Sequence, residues 1–172
     1  MTIIAGLGNP DKKYSNTPHN IGFEALDYFV ENNDFPAFEF SKIFNAMISK
    51  KDDAMLVKPQ TYMNNSGFSI KKICRGRTSV NLIVIHDDID LPLGKIRVSK
   101  NRGSAGHKGV ESIIKELGTK DFTRVRIGIS PQSHTLNYGT EKYVLKKFNK
   151  KDKEIIQKSF NQVSSELKKL IK

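Results

Sequence analysis

One cysteine, Cys74, is the only thiol in the 172-residue chain. A single thiol excludes an intramolecular disulfide and a cysteine-built zinc site, and it fits a cytoplasmic setting. Cys74 itself falls in a helix pattern and reads as a small hydrophobe. Long apolar runs are missing too: none approaches the ~18 residues that a membrane span needs, so no membrane partner is expected. The opening MTIIAGLGNP has neither the basic region nor the long apolar region of a secretory signal and is not read as one. Internal repeats, low-complexity tracts and linkers long enough to separate domains are absent. One domain over residues 1–172 is therefore expected. It is large enough to bury about two-thirds of the surface of its unfolded chain. Hydrophobic residues are only 37% of the total, but apolar segments recur along the whole chain, which excludes wholesale disorder.

Acidic residues run short in two segments. Residues 1–94 hold 10 basic and 11 acidic side chains, whereas 95–126 hold 9 and 3, and 146–172 again 9 and 3. The formal net charge of +11 is thus concentrated in two stretches. Segregated positive charge suggests a polyanionic partner, nucleic acid first, with a merely solvated basic surface as the alternative.

Short apolar runs predict strands over 3–7, 43–49, 54–57, 82–85 and 125–129. Apolar spacing predicts helices over 21–32, over 65–76, and from Val110 to a stop at Gly118. Ile156, Phe160, Val163, Leu167 and Leu170 mark an amphipathic, lysine-rich helix over about 152–171. Strands alternating with helices indicate an α/β class, a single three-layer α/β/α domain with a twisted mixed, largely parallel sheet. Ligands of such sheets sit beyond the carboxyl ends of the strands.

Five loops fall there. Gly6-Leu7-Gly8-Asn9-Pro10 lacks the third glycine of a dinucleotide loop and the Gly-Lys-Ser/Thr of a P-loop. Its turn either delivers the Asn9 amide into a cleft or lets Asn9 cap its own backbone. Tyr14 to Gly22 carries His19, a base near neutral pH or a surface residue, and Asn20, assigned first as a helix N-cap. In the stretch from Lys58 to Gly67, Asn64, Asn65 or Ser66 serves as a cap, or an Asn amide donates to a forming oxyanion. His86-Asp87-Asp88-Ile89-Asp90 offers three readings: a carboxylate orienting a histidine, a Mg²⁺ site of Asp87, Asp88 and Asp90, or a solvated acidic loop. Arg102 to Gly109 is a phosphate-approaching loop with Lys108 as its cation, or a flexible glycine loop. No Gly-x-Ser-x-Gly elbow occurs and the histidines lack zinc-ligand spacing, so water is the expected nucleophile of any hydrolase here. His86 and His134 are read as structural.

Taken in order, these pieces resemble the bacterial-type peptidyl-tRNA hydrolase family. The matching residues are Gly6-Leu7-Gly8-Asn9-Pro10, Tyr14, Thr17, His19-Asn20, Gly22, and Lys58-Pro59-x-Thr61-Tyr62-Met63-Asn64-x-Ser66-Gly67. Further along come His86-Asp87-Asp88-x-Asp90-x-Pro92-x-Gly94, Gly106-His107-x-Gly109, Ser112-Ile113, Arg126-Ile127-Gly128-Ile129 and Tyr143-Val144-Leu145. The resemblance implies hydrolysis of the ester joining a peptidyl group to the 3′-terminal ribose of tRNA, by a cytoplasmic monomer needing no metal or cofactor. It implies His19 as catalytic base and Asp87 as its acidic partner. Asn9 and Asn64 would hold the peptide end and the reacting carbonyl, with Tyr14, Met63 and His107 lining the cleft. Arg97, Lys100, Arg102, Lys108 and Arg126 are the candidates for holding the acceptor stem through phosphates. Pro18 stands where the family usually has Arg, Lys108 where it has Asn, and the chain is short for the family. The rival readings are a non-catalytic RNA-binding paralog of the same fold and a Mg²⁺-dependent phosphohydrolase.

Overall fold

The first strand, β1 (Thr2–Gly6), is buried at every position, as only an interior strand of a two-sided sheet can be. The computed structural model describes residues 1–77, 79–130 and 139–171. In these, β1 lies at the centre of a seven-stranded sheet with β2 (Glu39–Ser41), β3 (Ala46–Lys51), β4 (Ala54–Pro59), β5 (Asn81–Pro92), β6 (Ile96–Lys100) and β7 (Thr123–Ser130), ordered β2-β3-β4-β1-β5-β7-β6. The four central strands β4, β1, β5 and β7 run parallel, while β2–β3, β3–β4 and β6–β7 pair antiparallel.

Helices cover both faces. On one, α1 (Ile21–Glu31) and α5 (Lys150–Leu170) pack Leu26, Phe29, Phe160 and Leu167 against Ile4, Ile83, Ile85 and Val125. On the other, α2 (Ser66–Cys74) and α3 (Lys108–Leu117) pack Ile70, Ile73, Val110 and Ile113 against Ile3, Ala5, Val57 and Val84. A short helix, α4 (Thr140–Tyr143), leads into α5. Gly118 ends α3 in the left-handed conformation, φ 70°, as its position after the apolar pattern suggests. No helix of the described residues is long and apolar enough to cross a membrane.

The structure corrects several boundaries. The strand expected over 43–49 begins at Ala46, and Ile43 is exposed in the preceding turn. The acidic segment is not a loop: β5 continues through it to Pro92, because Asp87 and Asp88 pair with Ile127 and Gly128 of β7. The strands β2 and β6 carry no apolar run and were not expected. The terminal helix spans Lys150–Leu170 rather than about 152–171.

One feature of the sheet creates the site. β1 stops at Gly6, level with Ile85, whereas β5 runs on for seven residues. Past Ile85 one flank of β5 is therefore open to the chain entering α1. That entry is pressed tightly onto the sheet. A methyl group at Gly22 would collide with the Leu7 backbone nitrogen and the Ile85 carbonyl oxygen.

Candidate active site

Asp87 stands at this opening, buried to 3% exposure. Two imidazoles from distant parts of the chain donate to it. His19, in the 3₁₀ turn Pro18–Asn20 before α1, places Nδ1 at 2.9 Å from Oδ2 and 3.0 Å from Oδ1. His107, just before α3, places Nε2 at 2.8 Å from Oδ1. The His107 tautomer follows from its other nitrogen: Nδ1 accepts from the Val110 N–H at 3.3 Å, so Nε2 carries the proton. His19 donates through Nδ1, which leaves Nε2 as a lone-pair acceptor with no partner among the described residues. The ring is 14% exposed, so water can reach it. Burial alone would raise the Asp87 carboxyl, but His107 and His19 outweigh it and hold the group well below the usual carboxylate range.

The approach to His19 is stiff. Pro18 is the first residue of its turn, where a missing N–H costs nothing. Thr17 caps the Tyr14 carbonyl with N–H at 3.2 Å and Oγ1 at 2.6 Å. From behind, the Val144 carbonyl accepts the His19 N–H at 3.0 Å, and the Phe148 N–H donates to the Asn16 carbonyl at 2.8 Å.

Asn9 is fixed equally firmly. Its Oδ1 accepts the Met63 N–H at 2.8 Å, so its Nδ2 is the free donor. Asn20 clamps the Asn9 backbone in both senses: Oδ1 accepts the Asn9 N–H and Nδ2 donates to the Asn9 carbonyl, each at 2.9 Å. Asn20 thus occupies the N-cap position of α1 without capping it, which corrects its first assignment. Tyr62, just before Met63, has φ 60° and ψ 161°, a conformation costly for any residue but glycine. Its carbonyl accepts the Asn65 N–H at 3.0 Å and its hydroxyl donates to Asp11 at 3.1 Å. This turn aims the Met63 N–H at Asn9 and leaves Asn64 exposed, its amide without a partner among the described residues.

The three carboxylates of β5 do not converge on a cation. Asp87 serves the histidines, Asp88 pairs with Arg126 at 2.8 Å, and Asp90 is exposed. His19, Asp87 and His107 do bring one ligand atom each within 4.8 Å of one another. A metal there would displace both ring protons holding the carboxylate, and His107 would also have to give up the Val110 N–H. The donor set is built for protons.

The basic candidates divide. Arg97, Lys100, Arg102 and Arg126 line one hollow of about 640 Å³ along β6 and β7. Lys108 does not line it; exposed at the start of α3, it lies 3.6 Å from Glu111. A fifth cation, Arg124, was missed: it is buried at the hollow, its Nε has no hydrogen-bond partner, and burial first, then Arg126, lowers its pKa. The alternation of Arg124 and Arg126 along a strand was the available signal. The second basic segment, α5, packs on the opposite face of the sheet.

A family model for peptidyl-tRNA hydrolase matches residues 3–172. The chain belongs to the peptidyl-tRNA hydrolase family. It is 41% identical to a peptidyl-tRNA hydrolase of Thermodesulfovibrio yellowstonii, covering 94% of this chain and 88% of the relative. It is 36% identical to one of Clostridium botulinum, covering 100% of this chain and 90% of the relative. Its fold superposes on the crystal structure of peptidyl-tRNA hydrolase from Acinetobacter baumannii with a TM-score of 0.89 at 25% identity, covering 99% and 88% of the two chains. Of the family pattern, His19 and His107 both bond Asp87, Asn9 bonds Met63, and the Met63 side chain and the His107 ring both border the α-carbon of Gly109. Tyr14 is half-buried, and only its carbonyl is engaged with the turn that carries His19. Asn20 and Val144, which position the site without touching Asp87, belong to the family pattern, but nothing local in the sequence shows their long-range bonds. His86 is buried beside His107, and His134 lies outside the described residues.

Proposed function

We propose that this protein hydrolyses the ester between a peptidyl group and the 3′-terminal ribose of tRNA, with water as nucleophile and His19 as general base. The observation that carries the reading is the His19 Nδ1–Asp87 bond, which leaves Nε2 as the acceptor at a wet surface. In the reaction, Nε2 takes a proton from water as its oxygen bonds to the ester carbonyl carbon. The tetrahedral intermediate then expels the ribose 3′-oxygen, which recovers the proton from Nε2. Asp87 fixes the ring and favours its protonated form, as a triad aspartate does. Positioned acid–base catalysis of this kind contributes about 10²–10⁴-fold.

The free Nδ2 of Asn9 and the amide of Asn64 supply donors for the peptide end and the oxyanion, the latter worth about 2.7–4 kcal/mol per donor in a well-studied hydrolase. A site built on such bonds discriminates against aminoacyl-tRNA, which lacks the peptide group that satisfies them. The hollow of Arg97, Lys100, Arg102, Arg124 and Arg126 suits phosphates of the acceptor stem, a backbone contact common to all tRNAs. Lys108 stands apart from it and is a weaker candidate. All these groups come from one chain, which supports a monomer, and a tRNA substrate with a lone thiol supports a cytoplasmic location.

The test is release of free tRNA from N-blocked aminoacyl-tRNA, compared between the wild type and His19→Ala. Turnover by the wild type, and its loss in the variant with tRNA affinity retained, is the expected result. Binding without release by the wild type would overturn the enzyme reading in favour of an RNA-binding paralog.

A further inference from the structure

His86 is a buried imidazole that the mechanism above does not use. It sits on β5 opposite Arg126 of β7, which in turn is opposite Arg97 of β6. Register partners in neighbouring strands share a face, so these three form a row on the side covered by α2 and α3. His86 Nδ1 donates to the carbonyl of Asp87 at 2.7 Å, fixing the peptide that carries the site's carboxylate. Its ring meets the ring of His107 edge-on, centroids 4.6 Å apart at 66°. Its Nε2 is fully buried and has no partner among the described residues.

We propose that His86 is a positioning residue for the hydrolysis: its imidazole, fixed on the Asp87 carbonyl, holds the His107 ring with Nε2–H toward the Asp87 carboxylate and so steadies the group that orients His19. The inference rests on the hydrolase reading. The need for such a device is visible in the site. Two imidazoles share one carboxylate, and a His107 ring in the other tautomer would turn a lone pair onto the group that holds His19. Three features favour this orientation and tautomer of His107. Its Nδ1 already accepts the Val110 N–H, it faces the positive end of α3, and the edge of His86 blocks the ring rotation that would free Nδ1. The charged and titratable groups around His86 are His107 from α3, Asp87 on its own strand, and Arg124 and Arg126 from β7. Arg126 is paired with Asp88, whereas Arg124 makes no ion pair among the described residues. An imidazolium at position 86 would therefore face His107 and Arg124 with no solvent between. Burial, His107 and Arg124 together depress its protonation, outweighing Asp87.

The test joins ring NMR with kinetics. In the wild type, ¹⁵N-histidine spectra should show neutral His107 as the Nε2–H tautomer and His86 neutral between pH 5.5 and 8 (on the order of the range in which imidazoles titrate). An Nδ1–H tautomer at His107 would overturn the proposal, and that measurement requires neither a variant nor activity. His86→Phe keeps a flat ring and loses the bond to the Asp87 carbonyl. About a fivefold fall in kcat at unchanged KM is expected, the fold-change of a net hydrogen bond. His86→Asn opens space beside His107, and the His107 ring should then show a mixture of tautomers. Wild-type kcat and an unmixed His107 tautomer in both folded variants would also overturn it. Absence of any wild-type turnover would sink the hydrolase reading instead, and the tautomer result would still stand or fall by itself.

Discussion

His19 and Asp87 are 68 positions apart in the chain, yet Nδ1 of one lies 2.9 Å from Oδ2 of the other. The bond sets the tautomer: with the proton on Nδ1, the base points Nε2 outward. Asp87→Asn should break this logic while leaving the fold intact. An amide nitrogen facing Nδ1 drives the proton to Nε2, which then offers no lone pair to water. By analogy with a serine-protease triad, in which the same change costs about 10⁴-fold, kcat for N-blocked aminoacyl-tRNA should fall by at least about 10²-fold with KM little moved. Retention of more than a tenth of the rate would show that Asp87 does not orient the base.

Asn20 supplies a second expectation, because its side chain holds Asn9 by two bonds. Asn20→Ala leaves a buried N–H and C=O of Asn9 unpaired, a cost of about 1–3 kcal/mol for each such group. The variant should melt several degrees lower. Because the loosened Asn9 amide no longer meets the peptide, KM for short peptidyl-tRNA should also rise. Asn20→Asp is the sharper probe. It keeps the acceptor for the Asn9 N–H and loses only the donor to its carbonyl, so it should fall between wild type and Ala in both readings. A melting point lowered with KM unchanged would make Asn20 structural only.

These two residues also show where sequence reading succeeds and where it stops. The runs of Ile3 to Leu7 and Ala54 to Val57 mark interior strands because both of their faces are buried. Ile156, Phe160, Val163 and Leu167 mark α5 because one face is apolar. The segment from His86 to Pro92 hides its strand. Four of its seven side chains are polar, and what keeps it extended is pairing with β7, more than thirty residues away. Strand β6 hides likewise, since its exposed residues at an edge, Arg97, Val98 and Lys100, need no apolar alternation. Asn20 looks like a cap because capping is a local preference, whereas its actual partner, Asn9, lies in another loop. The types of residue at the site were legible, and so, through the family resemblance, was the pairing of His19 with Asp87; the bonds of Asn20 to Asn9 and of His107 to Asp87 were not.

The cationic hollow gives a prediction about salt. If Arg97 and Arg102 contact tRNA phosphates there, each replacement by Ala should weaken binding alike for all tRNAs. Each should also lower the slope of log affinity against log salt by about 0.7–0.9. Lys158→Ala on α5, on the far face of the sheet, is the control and should change neither quantity. Filter binding between roughly 50 and 200 mM salt measures both. An effect of Lys158 equal to that of Arg97 would move the RNA surface to the other layer.

Stability against pH should carry the mark of His86. Burial, then His107, pushes its imidazole well below the usual value. In the unfolded chain His86 binds a proton below about pH 6.5, and in the folded chain it does not, so the unfolded state binds more protons and folding weakens as pH falls. The slope contributed by this one group is about 1.4 kcal/mol per pH unit once the pH is below about 6. Glu24, whose carboxyl burial raises, acts with the opposite sign as pH approaches its titration range from above. Asp87, whose carboxyl is depressed, adds a further loss only below about pH 4. Between pH 6.5 and 5, then, urea unfolding of the wild type should show declining stability, and His86→Phe should lose this contribution to the slope because phenylalanine has no proton to gain. Equal slopes in the two proteins would mean that the loss arises elsewhere, and that His86 is not the neutral imidazole the site requires.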